Sequence, residues 1–337
     1  MTEYLDYDLS GHNTFGIKAS CRRYLEFNSE DDLSSLLESL TTEDFPLLIL
    51  GGGSNLLMTA DYPHTVIHSA LKGYETTTEG NDIYLRVGSG ETWDEIVALC
   101  VSNGWYGTEN LSLIPGEVGA SAVQNIGAYG AEIKDILHKV EAIEIATGRK
   151  VEFTNEECGY SYRYSKFKGE WKDRYIITYV TYRLSKTFSP RTDYGNINVF
   201  LESKGITVPT AQQLRDAVVE IRRSKLPDPE ITGNAGSFFV NPIVDREKFE
   251  DILKRYPGMP HYILDENHVK IPAGWMIDTL GWKGRSVGNA GVHEKQALVL
   301  VNRGGATGRE ILNLCDTIRA DVKREFGIDI KPEVNII

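Results

Sequence analysis

A single hydroxyl group stands among small and aromatic residues between Gly233 and Pro242. The stretch reads Gly-Asn-Ala-Gly-Ser-Phe-Phe-Val-Asn-Pro and carries the hydroxyl on Ser237. Small neighbours let the main chain approach a ligand closely, and Phe238 and Phe239 are expected to be buried behind the serine. The pattern predicts a polar group held in a dry site, although small residues beside a serine are also common in plain turns.

Two charged residues could act with such a hydroxyl. Arg163 lies between Tyr162 and Tyr164, and an arginine flanked by aromatic rings suits a bidentate grip on a carboxylate; the alternative is a surface strand with stacked rings. Glu333 interrupts the apolar tail 328–337. A carboxylate is costly to bury unless it is paired or protonated, so Glu333 is either a site residue or a solvent-facing edge position.

Three glycine-rich segments lie in the first half of the chain, at Gly51–Asn55, Gly88–Gly90 and Ile114–Gly130. A strand followed by glycines and then by Ser54 and Asn55 is typical of a loop whose main-chain amides point toward phosphate oxygens. The alternative is a plain tight turn. The spacing is not that of the Rossmann dinucleotide motif. Together, the three segments predict one large nucleotide cofactor lying across them.

The strands and helices that position these residues can be predicted from hydrophobic periodicity and helix-capping signals. The long segment Ser185–Asn198 has little periodicity and is predicted to be a lid-like loop. Leu226–Pro229 is the best domain boundary. Predicted elements are strands at Cys21–Phe27, Pro46–Leu50, Tyr175–Leu184, Ala297–Val301 and Ile328–Ile337, hairpins at Tyr74–Val87 and Val140–Phe153, and helices from Ser29, at Thr92–Asn103, from Thr210, at Asp245–Tyr256, Ala273–Leu280 and Thr307–Phe326.

Composition narrows the class of protein. The chain has 337 residues, 41% of them hydrophobic, and a net charge of -12. This length favours two or three domains, and the acidic balance argues against nucleic-acid or membrane-surface binding. We found no secretory signal and no apolar run long enough for a membrane helix, and four widely spaced cysteines disfavour a zinc site or disulfides. The expected compartment is the cytoplasm.

At this point the chain resembles the UDP-N-acetylenolpyruvoylglucosamine reductase family, almost from end to end. Each matching motif is weakly specific, but their order and spacing together are distinctive. The motifs are Asn13–Gly16, Gly51–Leu56, Ile114–Gly130, Tyr162–Tyr164, Lys225–Asp228, Gly233–Pro242, Ala273–Trp275 and Pro332–Val334. One departure is Val240, where members of the family often carry lysine.

The resemblance implies an α+β fold with three lobes. Two lobes would hold FAD as in the vanillyl-alcohol-oxidase-like (PCMH-type) flavoproteins, and an α+β third lobe would bind substrate. The implied boundaries are residues 1–70 with 327–337 for the first lobe, 71–225 for the second and 226–326 for the substrate lobe.

The resemblance also implies a reaction, in which NADPH and non-covalent FAD reduce UDP-N-acetylglucosamine enolpyruvate to UDP-N-acetylmuramate for peptidoglycan synthesis. Ser237 would protonate the carbanionic carbon, and Arg163 would clamp the substrate carboxylate. We expect Glu333 to be protonated or to donate a hydrogen bond, because an ionised carboxylate would repel the developing charge.

By position, the resemblance assigns further binding residues and no metal. FAD would be bound by Gly51, Gly52, Gly53, Ser54, Asn55, Leu56, Ile114, Pro115, Gly116, Gly119, Ala120, Gln124, Asn125, Gly127, Ala128, Tyr129 and Gly130. The substrate would be bound by Tyr162, Tyr194, Lys225, Asn241, Tyr262 and Gln296.

Two other functions stay open. One is a different flavin oxidase on the same cofactor fold with covalent FAD, for which His12, His64 or His68 could be attachment points, although none lies in a motif that demands it. The other is a non-catalytic nucleotide-sugar binder. The expected partners are the sugar nucleotide and NADPH, with no nucleic acid or membrane, and we expect a monomer.

Overall fold

The computed structural model describes residues 1–337 and contains eight α-helices and twenty β-strands. The strands are β1 (Thr2–Asp8), β2 (Ser20–Phe27), β3 (Leu48–Leu50), β4 (Leu56–Leu57), β5 (Tyr62–Ser69), β6 (Tyr74–Glu79), β7 (Asp82–Gly88), β8 (Gly127–Ala128), β9 (Ala131–Glu132), β10 (Leu137–Glu144), β11 (Lys150–Thr154), β12 (Tyr175–Ser185), β13 (Asn234–Ser237), β14 (Ile243–Asp245), β15 (Tyr262–Ile263), β16 (His268–Lys270), β17 (Ser286–Val287), β18 (Ala290–Val292), β19 (Val299–Asn302) and β20 (Asn335–Ile336). The helices are α1 (Glu30–Glu38), α2 (Trp93–Asn103), α3 (Val118–Gln124), α4 (Ile197–Ser203), α5 (Ala211–Lys225), α6 (Arg246–Arg255), α7 (Ala273–Thr279) and α8 (Gly308–Phe326).

The first of two units comprises residues 1–7, 21–52 and 62–224. It contains a four-stranded sheet in the order β1-β2-β5-β3, whose last three strands are parallel. A five-stranded antiparallel sheet follows in the order β11-β10-β12-β7-β6, so β12 is the central strand that its apolar sequence predicts. Helix α2 covers this second sheet's core with Trp93, Ile96 and Val97, and Gly104 ends it in a left-handed conformation.

The second unit comprises residues 8–20, 53–61 and 225–337. Its main sheet is antiparallel in the order β13-β19-β18-β17, and α8 packs on β18 and β19. Thr307 forms a capping box with Glu310 at the start of α8, and Gly327 ends the helix. The predicted apolar stripe of α8 is buried, which confirms that it belongs to the core.

Most predicted strands and helices are confirmed, and the predicted loop Ser185–Asn198 and the predicted tail strand differ in part from the structure. Helix α4 follows the long loop and was not predicted, because only Ile197 and Leu201 are buried along its seven residues. The tail was predicted as one strand, yet only Asn335–Ile336 pairs as β20; Pro332, which has no N–H to donate, forms only an isolated bridge to Phe239. The division into three lobes is finer than the two units and stays a prediction.

All four cysteines are buried free thiols. No group of three or more His, Cys, Asp or Glu side chains is arranged to hold a metal ion. None of the helices combines the length and the apolar character that crossing a membrane requires.

Candidate active site

Two glycine loops of the first unit run against each other. Strand β3 is followed directly by Gly51 and Gly52, and a Cβ on Gly52 would lie 3.3 Å from the Cα of Gly116. A Cβ on Gly119 would lie 2.9 Å from the Cβ of Ser89. The loops therefore approach each other so closely that a side chain at Gly52 or Gly119 would meet its neighbours. Such a main-chain surface fits the diphosphate of a flavin nucleotide.

Asn125 joins the end of the longest glycine-rich segment to the turn that carries Arg163. It ends α3 in a left-handed conformation with φ of 43°. Its Nδ2 donates to the carbonyl oxygen of Ser161 and to Oε2 of Glu132, each at 2.9 Å. Its Oδ1 accepts a hydrogen bond from the amide of Lys134 at 3.1 Å. The side chain thus positions the arginine turn relative to the predicted cofactor loop.

Arg163 lies in a tight turn in which Ser161 and Tyr164 exchange hydrogen bonds of 3.1 and 3.0 Å between their main chains. Its φ of 56° is unusual for a residue with a long side chain, and such strain concentrates at functional sites. Lys168 donates to the carbonyl oxygen of Arg163 at 3.2 Å, and the guanidinium carbon lies 6.0 Å from the ring centroid of Tyr162. The turn therefore holds the guanidinium beside an aromatic ring, as its sequence suggested.

A second arginine, Arg222 on α5, was missed by the sequence analysis. Its Nε donates to the carbonyl oxygen of Leu113, next to the glycine-rich segment, at 3.2 Å. Burial lowers the pKa of Arg222, and the positive charge of Arg163 lowers it further. Two guanidinium groups that repel each other make this region attractive to an anion. The signal was available, because Arg222 lies four residues after Val218 on the buried face of α5.

The predicted lid is attached to the end of the glycine-rich segment. Asn110 donates to the carbonyl oxygens of Tyr129 and Arg191, each at 2.9 Å. The Tyr194 side chain covers Gly130, where a Cβ would lie 3.1 Å from that of Tyr194. Tyr194 is nevertheless 49% exposed. It is thus anchored beside the predicted cofactor loop while part of its ring remains accessible to a ligand.

Ser237 ends β13 in the second unit. It pairs with Val299 of β19, and the register is irregular between Asn234 and Ser237. Gly236 has a φ of 67°, and its amide donates to Oδ1 of Asn234 at 2.9 Å. This local turn, rather than a regular strand, sets the direction of the serine.

The environment of the serine agrees with the sequence prediction. Phe238 and Phe239 are 0% and 1% exposed, whereas Ser237 itself is half-buried. The amide of Phe238 donates to the carbonyl oxygen of Leu298 at 2.7 Å. The two rings thus form an apolar support behind a hydroxyl that keeps partial access to its surroundings.

Glu333 lies on the segment next to Ser237. Its amide donates to the carbonyl oxygen of Phe238 at 2.8 Å, and Val240 donates to the carbonyl oxygen of Lys331 at 3.0 Å. Glu333 is half-buried, so its exposure is intermediate between that of a core residue and that of the solvent-facing edge position offered as the alternative. The structure therefore brings together Ser237 and Glu333, while Arg163 belongs to the first unit.

The predicted cofactor stretch Gly51–Leu56 is divided between the units after Gly52. The carbonyl oxygen of Gly53 accepts a hydrogen bond from the amide of Thr14 at 3.2 Å. The carbonyl oxygen of Asn55 accepts one from the amide of Asn335 at 3.1 Å, and β4 pairs in parallel with β20. In the second unit, the stretch is thus tied to the tail that carries Glu333.

Two predicted substrate residues converge at the start of α7. Oδ1 of Asn241 accepts a hydrogen bond from the amide of Ala273 at 2.9 Å. Oε1 of Gln296 lies 3.4 Å from the position of a Cβ on Gly274. Tyr262 is 48% exposed, and the ammonium of Lys270 lies 5.1 Å from its ring centroid. Lys225, the remaining predicted contact in this unit, is the last residue of α5.

Comparisons with known proteins cover nearly the whole chain. Residues 22–154 match the family model of an FAD binding domain, and residues 228–337 match that of the C-terminal domain of UDP-N-acetylenolpyruvoylglucosamine reductase. A protein of that name from Bacteroides fragilis is 53% identical over 333 residues, which are 98% of this chain and 99% of the relative. Another from Flavobacterium johnsoniae is 47% identical over 334 residues, 98% of each chain.

A solved structure supports the fold. The crystal structure of UDP-N-acetylenolpyruvylglucosamine reductase from Thermus caldophilus matches with a TM-score of 0.69 and 24% identity, covering 99% of this chain and 98% of the other. With the FAD-domain match, this confirms the predicted α+β flavoprotein fold with its PCMH-type FAD-binding part.

Proposed function

The chain belongs to the UDP-N-acetylenolpyruvoylglucosamine reductase family, and from that premise we propose that it reduces UDP-N-acetylglucosamine enolpyruvate to UDP-N-acetylmuramate. The proposal places the reaction in the cytoplasm, in peptidoglycan precursor synthesis, with NADPH as the reductant. When bound, FAD would supply the hydride chemistry between NADPH and the enolpyruvyl group, and the glycine loops of this chain would hold it. The observation that carries the proposal is the pairing of the Ser237 segment with the tail that bears Glu333.

Arg163 is proposed to bind the carboxylate of the enolpyruvyl group. Hydride addition at the methylene carbon leaves negative charge on the carbon that bears this carboxylate. A guanidinium fork held in a fixed turn both orients the carboxylate and stabilises the developing charge. Arg222 adds a second positive charge in the same unit, which favours an anionic ligand further.

Ser237 is proposed to donate its Oγ proton to the carbon that carries the developing charge. A hydroxyl is a weak acid in water, but a carbanionic carbon is a strong base, so the position of the proton matters more than the acidity of its donor. The buried rings of Phe238 and Phe239 support this position, because they limit the water that could compete for the proton.

Glu333 is proposed to act in its protonated form or as a hydrogen-bond donor beside Ser237. An ionised carboxylate would oppose the negative charge that Arg163 stabilises. Contacts with the sugar nucleotide are assigned to Tyr162, Tyr194, Lys225, Asn241, Tyr262 and Gln296. The contacts of Asn241 and Gln296 near the start of α7 support a common role for these two.

A covalent flavin is less consistent with the surroundings of His68. Its two ring nitrogens each lie 3.0 Å from a carboxylate oxygen, so both nitrogens are already engaged. Acid precipitation tests the point directly, because non-covalent FAD stays in the supernatant while covalent FAD precipitates with the protein.

Two measurements test the proposed function. The purified protein should show the absorbance bands of an oxidised flavin, and a colourless preparation that takes up no FAD would point to the nucleotide-sugar binder instead. NADPH should then be consumed over many turnovers when the enolpyruvyl sugar nucleotide is present as acceptor, beyond the single equivalent that reduces the flavin. Flavin-containing protein that fails to oxidise NADPH with this acceptor would refute the proposed reaction.

A further inference from the structure

His68 lies between two carboxylates beside the first glycine loop. Its Nδ1 is 3.0 Å from Oε2 of Glu26, and its Nε2 is 3.0 Å from Oε1 of Glu117. On β5, His68 is in register with Glu26 on β2 and with Leu50 on β3. Leu50 is the residue directly before Gly51, so the histidine bridges two acidic groups at the strand ends from which the glycine loop departs.

Both contacts can be hydrogen bonds only if the imidazole carries two protons. A neutral imidazole has one N–H and presents a lone pair on its other nitrogen, and ionised carboxylates accept but do not donate. Burial lowers the pKa of His68, but the hydrogen bonds and charges of Glu117 and Glu26 outweigh it, so the pKa lies above the ordinary value of 6.5. The two hydrogen-bond distances and the direction of this shift both favour the doubly protonated imidazole in the bridge.

Two aromatic rings also lie on the side of His68 that faces β1 and β2. The ring of Tyr24 on β2 stacks on the imidazole with centroids 6.2 Å apart, and Tyr7 of β1 stacks on the Tyr24 ring at 4.4 Å. Burial, followed by the nearby charge of Glu26, raises the pKa of the Tyr24 phenol. The phenol stays neutral, so protonation of the imidazole decides the charge of the cluster.

Glu117 connects this cluster to the cofactor loop. Its Oε2 lies 3.3 Å from the position that a Cβ on Gly51 would take. Glu117 also directly follows Gly116, whose Cα faces Gly52, and its carbonyl oxygen accepts from the amide of Ser121 at 2.9 Å. A carboxylate without a counter-charge at this place would repel a diphosphate bound by the glycine loops.

We propose that protonated His68 is a positioning residue for the flavin: it holds Glu117 against the glycine loop and compensates its charge, so that FAD affinity depends on the proton that His68 carries. This rests on the proposed function in one respect, namely that the FAD diphosphate lies at Gly51 and Gly52. The sign follows from the raised pKa: tight binding is present at low pH and is lost as the pH rises through the pKa of His68.

The test first removes the flavin from the full-length protein by ultrafiltration. FAD is then added back, and flavin fluorescence gives its dissociation constant. For the unsubstituted protein, we expect this constant to rise by about tenfold between about pH 6 and about pH 9, within the usual range of coupling between two sites. His68→Gln, which has no second proton to lose, should bind FAD weakly at every pH. Glu117→Gln removes the charge that needs compensation, so its binding should be tight and independent of pH.

His64 provides the matched control on the same strand. Its Nδ1 lies 3.3 Å from the carbonyl oxygen of Glu43, and it contacts neither Glu26 nor Glu117. His64→Gln should therefore keep the pH dependence of the unsubstituted protein. A pH-independent constant in the unsubstituted protein, or an undiminished slope in His68→Gln, would overturn the proposal.

Two further readouts keep the proposal separable from folding and from the proposed function. Long-range ¹H–¹⁵N NMR of the imidazole should show both His68 nitrogens protonated at about pH 6.5, the ordinary pKa of histidine, and a neutral tautomer there would also overturn the proposal. If His68→Gln fails to fold, the titrations of the unsubstituted protein and of Glu117→Gln still decide. Protein that binds no flavin at any pH would refute the proposed function, whereas flavin bound with no pH dependence refutes only the role of His68.

Discussion

The amide of Glu333 donates a 2.8 Å hydrogen bond to the carbonyl oxygen of Phe238, the residue that directly follows Ser237. A main-chain bond of this kind fixes the register in which the tail pairs with the segment that follows Ser237. The bridge between Phe239 and Pro332 continues the same pairing. Main-chain bonds therefore set the relative position of the two segments that carry the hydroxyl and the carboxylate.

Replacement of Ser237 by alanine should separate the two halves of the proposed reaction. NADPH should still bleach the flavin at an unchanged rate, because that step needs no proton from Ser237. Reoxidation by the enolpyruvyl sugar nucleotide should slow by about a hundredfold or more, the usual contribution of a positioned general acid. Stopped-flow absorbance of the flavin measures both steps.

The matched control is Ser286→Ala, which removes an exposed hydroxyl from the same unit. Both of its half-reactions should be unchanged. Equal slowing of both steps in Ser237→Ala would identify Ser237 as a packing residue instead.

Substitutions of Glu333 test whether it acts as a donor. Glu333→Gln keeps the shape and offers an N–H, so flavin reoxidation by substrate should fall by less than about tenfold. Glu333→Leu offers no donor and should lose about a hundredfold in the same step, as for a missing acid. If glutamine and leucine are equally damaging, the ionised carboxylate is the active form and the proposed role is wrong.

The elements predicted best from sequence are those with local signals at both ends. Helix α8 has the capping box of Thr307 at its start and Gly327 at its end, and the helix begins and ends at these residues. The Thr210 cap of α5 is likewise present, since its Oγ1 accepts from the amide of Gln213 at 3.2 Å. Such signals act within one helical turn, so no tertiary context is needed to interpret them.

The relationships that make the site were not predictable in this way. His68 and Glu117 are 49 residues apart, and neither neighbourhood contains a pattern that indicates the other. The pairing of Phe238 with Glu333 likewise joins distant segments of the chain. Residue patterns singled out Ser237, Arg163 and Glu333 one by one, and the family resemblance joined them into a set. The histidine bridge, by contrast, appears only when the strands are packed.

Arg163→Lys should weaken the use of substrate without loss of flavin. Lysine keeps the charge but not the planar fork, so it cannot bind the carboxylate through two parallel hydrogen bonds. We expect kcat/KM for the sugar nucleotide to fall by about 10- to 100-fold, the range for hydrogen bonds to charged groups. The flavin content per protein should be unchanged, and a comparable loss of flavin would instead assign Arg163 to the cofactor.

Gly52→Ala should weaken FAD binding. The new Cβ would lie 3.3 Å from the Cα of Gly116, where main chain rather than a flexible side chain must yield. We expect the FAD dissociation constant to rise by about tenfold, equivalent to ~1.4 kcal/mol. Gly258→Ala is the control, because a Cβ there meets nothing within 4 Å. Unchanged FAD binding in Gly52→Ala would argue that the glycines serve only the turn.

Asp44 offers a prediction about stability that is independent of catalysis. Its side chain is 2% exposed and accepts hydrogen bonds from Oγ1 of Thr65 at 2.5 Å, the amide of Thr41 at 2.7 Å and Nη2 of Arg22 at 2.7 Å. Burial raises the pKa of Asp44, but the hydrogen bonds from Thr65, Thr41 and Arg23 outweigh it and hold the pKa well below its usual range.

Because the folded pKa is depressed, the ionised Asp44 stabilises the fold at neutral pH, and this contribution is lost as the pH falls below about 4 toward the folded pKa. Asp44→Asn should therefore lower the free energy of unfolding by about 2 kcal/mol at about pH 7, the cost of removing a charged acceptor from buried donors. The difference from the unsubstituted protein should shrink at about pH 2.5, where Asp44 is protonated in the unfolded chain but still largely ionised in the folded one. Urea unfolding at both pH values measures this, with exposed Asp193→Asn as a control expected within about 0.5 kcal/mol. A loss that is equally large at both pH values would mean that shape, and not charge, makes Asp44 stabilising.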